Sequence, residues 1–167
     1  MAGLLATMML PTQANIIVNF VTIRQLGLYD NLVAVLLPSA VSAFGIFLMR
    51  QAFLVVPKDL EDAARMDGAS EWYIFSQVMV PLTRASLGTL ALFSFVAHWN
   101  SFMWPLVILQ SKSKYPLSVG LEHMANTFDS NFRLVAAGSV LGMIPILILF
   151  LVLQKQFIRG ITAGAVK

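Results

Sequence analysis

Residues 134–153 read LVAAGSVLGMIPILILFLVL, twenty positions without a charge. A helix of that length rises about 30 Å, the thickness of a bilayer's hydrocarbon core. The run therefore reads as a helix that crosses a membrane. Three further stretches share its character: residues 3–21, with Pro11 as an expected kink; residues 32–49, ending against Arg50; and residues 85–109. One long polar connection, 57–83, separates the second stretch from the third. The connection 110–133 is mixed and polar, with room for a short interfacial helix. No internal repeat, low-complexity tract or second domain interrupts the series. The expected fold is all-α: a polytopic membrane helical bundle with four transmembrane helices, residues 1–167 forming a single transmembrane domain.

Composition agrees. The chain is 58% hydrophobic and only 11% charged, with a mean hydropathy of +0.79. A soluble domain has roughly 45–50% apolar and about 25% charged residues. Too few charges are present to coat a water-facing surface, so membrane lipid is the expected solvent for much of the chain. The net charge of +3 is modest and the basic residues are scattered, which speaks against the clustered cationic face of a nucleic-acid binder. With no cysteine, disulfides, thiolate chemistry and cysteine-bound metals are excluded. The N-terminus, MAGLLATMML, is apolar without the basic flank of a signal peptide, and the first basic residue is Arg24. A spanning helix starting at Met1 lacks a polar anchor, so the reading expects an upstream portion.

Basic residues orient the bundle. Arg50, Lys58, Arg65, Arg84, Lys155, Arg159 and Lys167 fall on one side, against Arg24, Lys112, Lys114 and Arg133 on the other. The excess of Lys and Arg marks the cytoplasmic side. That places the loop 57–83, the C-terminus and Met1 in the cytoplasm. Gly138 and Gly142 form a GxxxG pattern in the fourth stretch, and Ser39 and Ala43 share that spacing in the second. Small residues so spaced let helices approach closely in lipid, either within the chain or against a partner.

The loop reads as helix, turn, helix. Pro57 suits a first helical turn, where its missing N–H costs nothing. Lys58–Asp67 are good helix formers, with Glu61 four residues before Arg65. Gly68 suits a left-handed helix end. Ser70 is placed to cap the next helix, with Glu71 in its first turn, and Pro81 marks a boundary before the third span. Leu60, Ala63, Ala64 and Asp67 share one side of the first helix. That face is small and nearly flat, rimmed by Asp59, Glu61, Asp62 and Arg65. A solvated loop with a helical tendency fits the same residues.

In spacing the segment resembles the EAA loop of ATP-binding-cassette (ABC) importer permeases, E-A-A-x3-G-x9-I-x-L-P. Here the pattern is Asp62-Ala63-Ala64, Gly68, Val78, Val80 and Pro81, with every interval kept. Asp replaces Glu, and two valines replace Ile and Leu. LEDAARMDGASEWYIF, HWNSFMWPL and the tail GITAGAVK resemble the sugar-type branch, similar to the permease of the maltose transporter. The resemblance implies a type I importer permease, multi-pass in the plasma (cell inner) membrane of a prokaryote. Branch members usually have six spans, so the four found here would be the C-terminal four. It further implies a cytoplasmic coupling helix around Glu61, Asp62, Ala63, Ala64, Asp67 and Gly68, with Pro81 closing the motif. A tail that includes Thr162, Ala163 and Gly164 would reach between ATPase subunits. The implied partners are a cytoplasmic dimer of ATP-binding subunits, a second homologous permease, an extracytoplasmic solute-binding protein and a sugar-like solute. No cofactor is expected on this chain, because ATP belongs to the partner subunit.

Polar side chains at membrane depth are costly and face a bundle interior or a water-filled cavity. Asn15 and Asn19 share a helical face near Gln13; Trp99, Asn100 and Ser101 follow His98, with Trp104 beyond. Amides, hydroxyls and aromatic rings suit a sugar pathway. Helix–helix hydrogen bonds for the asparagines and an interfacial belt for the tryptophans are the alternatives. His98 and His123 are too few for a metal site. No G-x-S-x-G, H-E-x-x-H or P-loop occurs, so no catalytic residue is assigned, and His98 with Ser101 offers only a weak dyad spacing. A truncated or scaffold four-span membrane protein without transport activity is the rival reading.

Overall fold

Several of the helix breaks fall near prolines, because proline lacks an N–H and its ring collides with the carbonyl four residues earlier. A computed structural model describes residues 2–9, 11–125 and 132–163. Helix α1 (Ala2–Met8) ends before Pro11, a 3-10 turn covers Thr12–Asn15, and α2 (Ile16–Gln25) follows. Helix α3 (Leu32–Leu36) tightens into a 3-10 turn, Leu37–Ser39, that holds Pro38. Helix α4 (Ala43–Val55) stops short of Pro57, and α5 (Lys58–Met66) begins just after it. Pro57 is thus the extended residue before the helix, with ψ 131°, one position earlier than expected.

Beyond the Gly68 turn, α6 (Glu71–Tyr73), a π-helical segment (Ile74–Met79) and α7 (Val80–Leu82) run on continuously. In the π register the Val80 N–H reaches back five residues to the Phe75 carbonyl, immediately before Pro81. Helix α8 (Arg84–Trp99) and α9 (Met103–Ile108) come next. A 3-10 turn at Lys112–Lys114, α10 (Leu117–Ala125) and α11 (Phe132–Ala163) complete the order. Among the described residues every regular element is helical.

The expected helix over 85–109 is in fact two helices. Pro105 has no N–H for the Ser101 carbonyl, and the helix breaks between Trp99 and Met103. The Ser118 hydroxyl supplies the missing donor to Ser101 O at 2.7 Å. Pro38 likewise strips the Ala34 carbonyl of its donor, and the Trp104 indole N–H takes over at 3.1 Å. The stretch 3–21 is divided between α1 and the turn that follows Pro11, and 32–49 breaks after Ser39, just beyond Pro38. Among the described residues, one unbroken helix is long and apolar enough to cross a membrane: Phe132–Gln154, with mean hydropathy 2.6 and no part of that apolar window buried inside the chain. The count rises to three if Leu32–Ser39 with Ala43–Val55, and Glu71–Leu82 with Arg84–Trp99, each cross as a broken span.

Two compact units emerge. The first comprises Met1–Ala43 and Phe95–Ile148. Its core joins Ile23 of α2, Ala34 of α3, and Ile108 and Leu109 at the end of α9, surrounded by Phe20, Leu28, Tyr29, Val35, Trp104 and Tyr115. The GxxxG face of α11 packs within this unit. A Cβ on Gly138 would collide with Leu121 of α10, and one on Gly142 would lie 3.2 Å from Leu117 Cδ2. The bare Gly142 also opens its carbonyl to the Trp99 indole, which donates at 2.9 Å, three residues before Pro145, which lies inside the continuous helix.

The second unit comprises Phe44–Ser94 and Leu149–Lys167. Edge-on packing of Phe44 with Phe93 (5.7 Å) and a tilted contact of Phe53 with Phe75 (6.2 Å) hold α4 to its neighbours. Thr83 is buried and turns its hydroxyl back onto Met79 O at 2.9 Å. That bond satisfies the hydroxyl where the helix breaks between α7 and α8.

Candidate functional site

The loop 57–83 lies in the second unit and is built around Arg65 and Gly68. Asp59 and Glu61 occupy the first turn of α5 and Arg65 its last, the charge order that favours a helix dipole. Gly68 adopts φ +79°, a left-handed conformation that costs a residue with a Cβ. Its N–H bonds the Arg65 carbonyl and the Ala69 N–H bonds that of Ala64, both at 3.0 Å. Ser70 is extended and its hydroxyl accepts the Tyr73 N–H at 3.3 Å, the capping interaction expected from sequence.

Arg65 ties the two helices across this turn. Its Nε donates to Glu71 Oε1 at 2.9 Å and its Nη2 to Glu71 Oε2 at 3.3 Å. Asp62 lies 3.2 Å from Nη1 and Glu61 3.5 Å from Nη2. The Glu71 bonds, foremost, raise the guanidinium pKa further above its usual value. The sequence reading paired Arg65 with Glu61 but not with Glu71, which sits beyond the helix end.

Leu60, Ala63, Ala64 and Asp67 are brought together, but not as a flat face. With Gly68, Ala69, Ser70, Tyr73 and Val78 they line an open recess of about 730 Å³. The Arg65–Glu71 bonds fold α5 back on the following helix and make the face concave. Ala63, Asp62, Asp67 and Gly68 are exposed, whereas Glu61 and Ala64 are half-buried. Pro81 stands apart, inside α7. Met66, Trp72, Tyr73 and Phe75 are exposed beside the recess. For Trp72, Tyr73 and Phe75 the signal in the sequence is the aromatic series that follows the Ser70 cap.

A second cavity, of about 560 Å³, lies within the first unit. It gathers Gln13, Asn15 and Asn19 with Ser39, His98, Ser101 and Trp104. Three of the five pathway residues singled out from sequence, Asn15, Asn19 and Ser101, line it. Trp99 and Asn100 do not: Trp99 stacks on Phe95 (5.4 Å) and bonds Gly142 O, and Asn100 Nδ2 donates to Val96 O of its own helix at 3.0 Å. His98 Nε2 lies 2.8 Å from Ser39 Oγ, so its hydroxyl partner is Ser39 of the second stretch, 59 residues away. In the sequence Ser39 stands out only as a small residue four positions before Ala43.

Asp30 is the polar centre that sequence reading missed. It follows α2 with φ 54° and accepts the Gln110 and Ser111 N–H groups at 2.9 and 3.0 Å. Its second oxygen accepts from Ser111 Oγ at 2.6 Å and Lys114 Nζ at 2.8 Å. The Lys114 bond, then those of Ser111 and Gln110, hold the Asp30 carboxyl well below the usual range. Among the described residues no cluster of three or more His, Asp or Glu side chains is placed to hold a metal. Thr162 and Ala163 fall in the last turn of α11; Gly164 lies outside the described residues.

Among the described residues every regular element is helical, one helix is long and apolar enough to cross a membrane, and polar side chains line a cavity in the first unit. Residues 1–163 match the family described as binding-protein-dependent transport system inner membrane component, and the chain belongs to that family. It is 38% identical over 163 residues to the arabinooligosaccharides transport system permease protein AraQ of Bacillus subtilis (strain 168), covering 98% of this chain and 58% of that protein. It is 35% identical to the lactose transport system permease protein LacG of Rhizobium radiobacter, covering 98% and 60%. The sn-glycerol-3-phosphate transport system permease protein UgpE of Shigella dysenteriae serotype 1 (strain Sd197) is 33% identical, with 93% and 56% covered. The chain thus spans just under three fifths of the AraQ relative's length. A crystal structure of a bacterial ABC transporter involved in import of the acidic polysaccharide alginate superposes with a TM-score of 0.80 at 33% identity, covering 92% of this chain and 59% of that one.

Proposed function

We propose that this chain is the membrane-spanning permease subunit of an ATP-binding-cassette importer in a prokaryotic plasma membrane. It passes a sugar or related polyol by alternating access, driven by a separate pair of ATP-binding subunits. The four apolar stretches cross the bilayer, three of them as helices broken near proline. A second permease completes the pathway, and an extracytoplasmic binding protein delivers the solute. The names of the relatives support the sugar assignment, although they include neutral sugars and anionic solutes alike.

The observation that carries the reading is the geometry of the loop. Helix α5 is a short rigid lever, held to the next helix by Arg65 and turned by a left-handed Gly68. Glu61, Asp62, Ala63, Ala64, Asp67 and Gly68 form the coupling surface that docks on the ATPase, and Thr162, Ala163 and Gly164 belong to a tail that meets the same partner. A joint that transmits force between two bodies must not flex, and a charge-tied helical turn meets that need. Asn15, Asn19 and Ser101 line the solute pathway; Trp99 and Asn100 support the helices beside it.

Crosslinking tests the docking. The chain has no cysteine, so Ala63→Cys is a unique thiol on the exposed side of α5. With a second cysteine in the docking groove of the ATP-binding subunit, a disulfide is expected that changes in yield with ATP and disappears in Gly68→Arg. A chain that inserts normally and yields no crosslink at Ala63 refutes the docking assignment.

A further inference from the structure

The chemistry lining the 560 Å³ cavity discriminates among solutes. Its polar residues are Gln13, Asn15, Asn19, Ser39, His98 and Ser101, with no Lys, Arg, Asp or Glu among the lining residues. We infer that this cavity selects an uncharged, polyhydroxylated solute over an anionic one, with Asn15, Asn19 and the Ser39–His98 pair as specificity-determining residues. The inference rests on the permease reading above and narrows it to one charge class.

An anion taken out of water needs a cation or several converging donors to offset its lost hydration. Arg24 lies in the last turn of α2 and is not among the lining residues, and Lys114 is engaged by Asp30. An asparagine amide both donates and accepts, as a sugar hydroxyl does, whereas phosphate and carboxylate oxygens only accept. Asn15 and Asn19 lie four residues apart on one helical face. Among the described residues neither side chain has a hydrogen-bond partner within the chain. Amides so placed meet water or solute. Ser39 Oγ donates to Leu36 O at 3.2 Å, which leaves its lone pairs to accept from His98 Nε2–H at 2.8 Å. That pair offers a fixed polar wall, and Trp104, anchored by its N–H on Ala34 O, offers an aromatic one. A cavity of this size is in the range of sites for small ligands, roughly 300–1,000 Å³.

The test uses the complex purified from membranes through a tag on this chain and placed in lipid nanodiscs. Binding of tritiated lactose, maltose and L-arabinobiose is compared with that of sn-glycerol 3-phosphate and digalacturonate. At least one neutral disaccharide should bind and resist displacement by excess of either anion. Asn19→Leu should weaken that binding about tenfold, the value of one or two neutral hydrogen bonds, and Asn19→Lys should shift preference toward the anions. Binding of the anions alone, of none of the five compounds, or neutral binding unchanged in Asn15→Leu and Asn19→Leu, overturns the inference. Copurification of an ATP-binding subunit in the same preparation reports separately on the permease reading. Its presence alongside failed sugar binding removes the selectivity and leaves that reading standing.

Discussion

Replacing Gly68 by alanine isolates the energy of one backbone dihedral. The residue sits at φ +79°, and a Cβ there would meet no atom within 4 Å. The cost is therefore conformational and not steric. An L-residue held in the left-handed region loses about 1–2 kcal/mol. Alanine recovers roughly 0.4–1 kcal/mol of that by restricting the unfolded chain. The net is on the order of 1 kcal/mol, which raises the open population of the turn about fivefold. Asparagine tolerates this conformation and should lose less; valine, β-branched, should lose more. The reporters are the Gly68 and Ala69 amides, bonded to Arg65 O and Ala64 O. Hydrogen exchange followed by mass spectrometry should show them about fivefold faster in Gly68→Ala. The order should be Val, Ala, Asn, Gly from fastest to slowest. Exchange that is unchanged in Gly68→Val would refute the claim that a left-handed residue holds this turn.

Three further outcomes are expected. Asp30→Asn should speed exchange of the Gln110 and Ser111 amides wherever the parent carboxyl is ionised, that is, above its depressed folded value. In the parent chain the depressed carboxyl keeps its partners fully above the ordinary aspartate value of about 4, and their protection fades only as pH falls through the lower folded value. Gly138→Ile should lower thermal stability in detergent by about 1–3 kcal/mol through overpacking against Leu121, and Leu121→Ala in the same chain should restore part of it. Trp99→Phe keeps the ring beside Phe95 but removes the donor to Gly142 O, so denaturation should report a loss of about 1 kcal/mol.

Local signals carried most of what could be read beforehand. The Gly68 turn and the Ser70 cap depend on neighbours within a few residues, and both stand where sequence placed them. The apolar run 134–153 falls within α11 for the same reason: length and composition suffice. What escaped depends on partners distant in the chain. Pro105 was visible, yet the break before α9 is stabilised by Ser118, and nothing local announces that hydroxyl. The Gly138–Gly142 pattern admitted a partner chain or an internal helix, and α10 proved to be the neighbour. Arg65 was assigned the regular helical spacing to Glu61, but its shortest bond crosses the turn to Glu71. At the cavity, Asn15 and Asn19 were legible from their shared face. Ser39 acquires its role only from His98, on another element. Asp30 offered a lone acid between apolar stretches, and its four donors lie about 80 residues on.

That separation has a consequence in time. Asp30 and Lys114 are 84 positions apart. At roughly 5–20 residues per second of synthesis, about 4 to 17 seconds pass between the emergence of the carboxylate and that of its ammonium partner. During that interval the turn after α2 lacks the donors that hold its carboxylate. The contact can close only once Lys114 has been made, and it needs no covalent step. In a chain without cysteine, a fastening made of one carboxylate can be undone and remade as the helices settle.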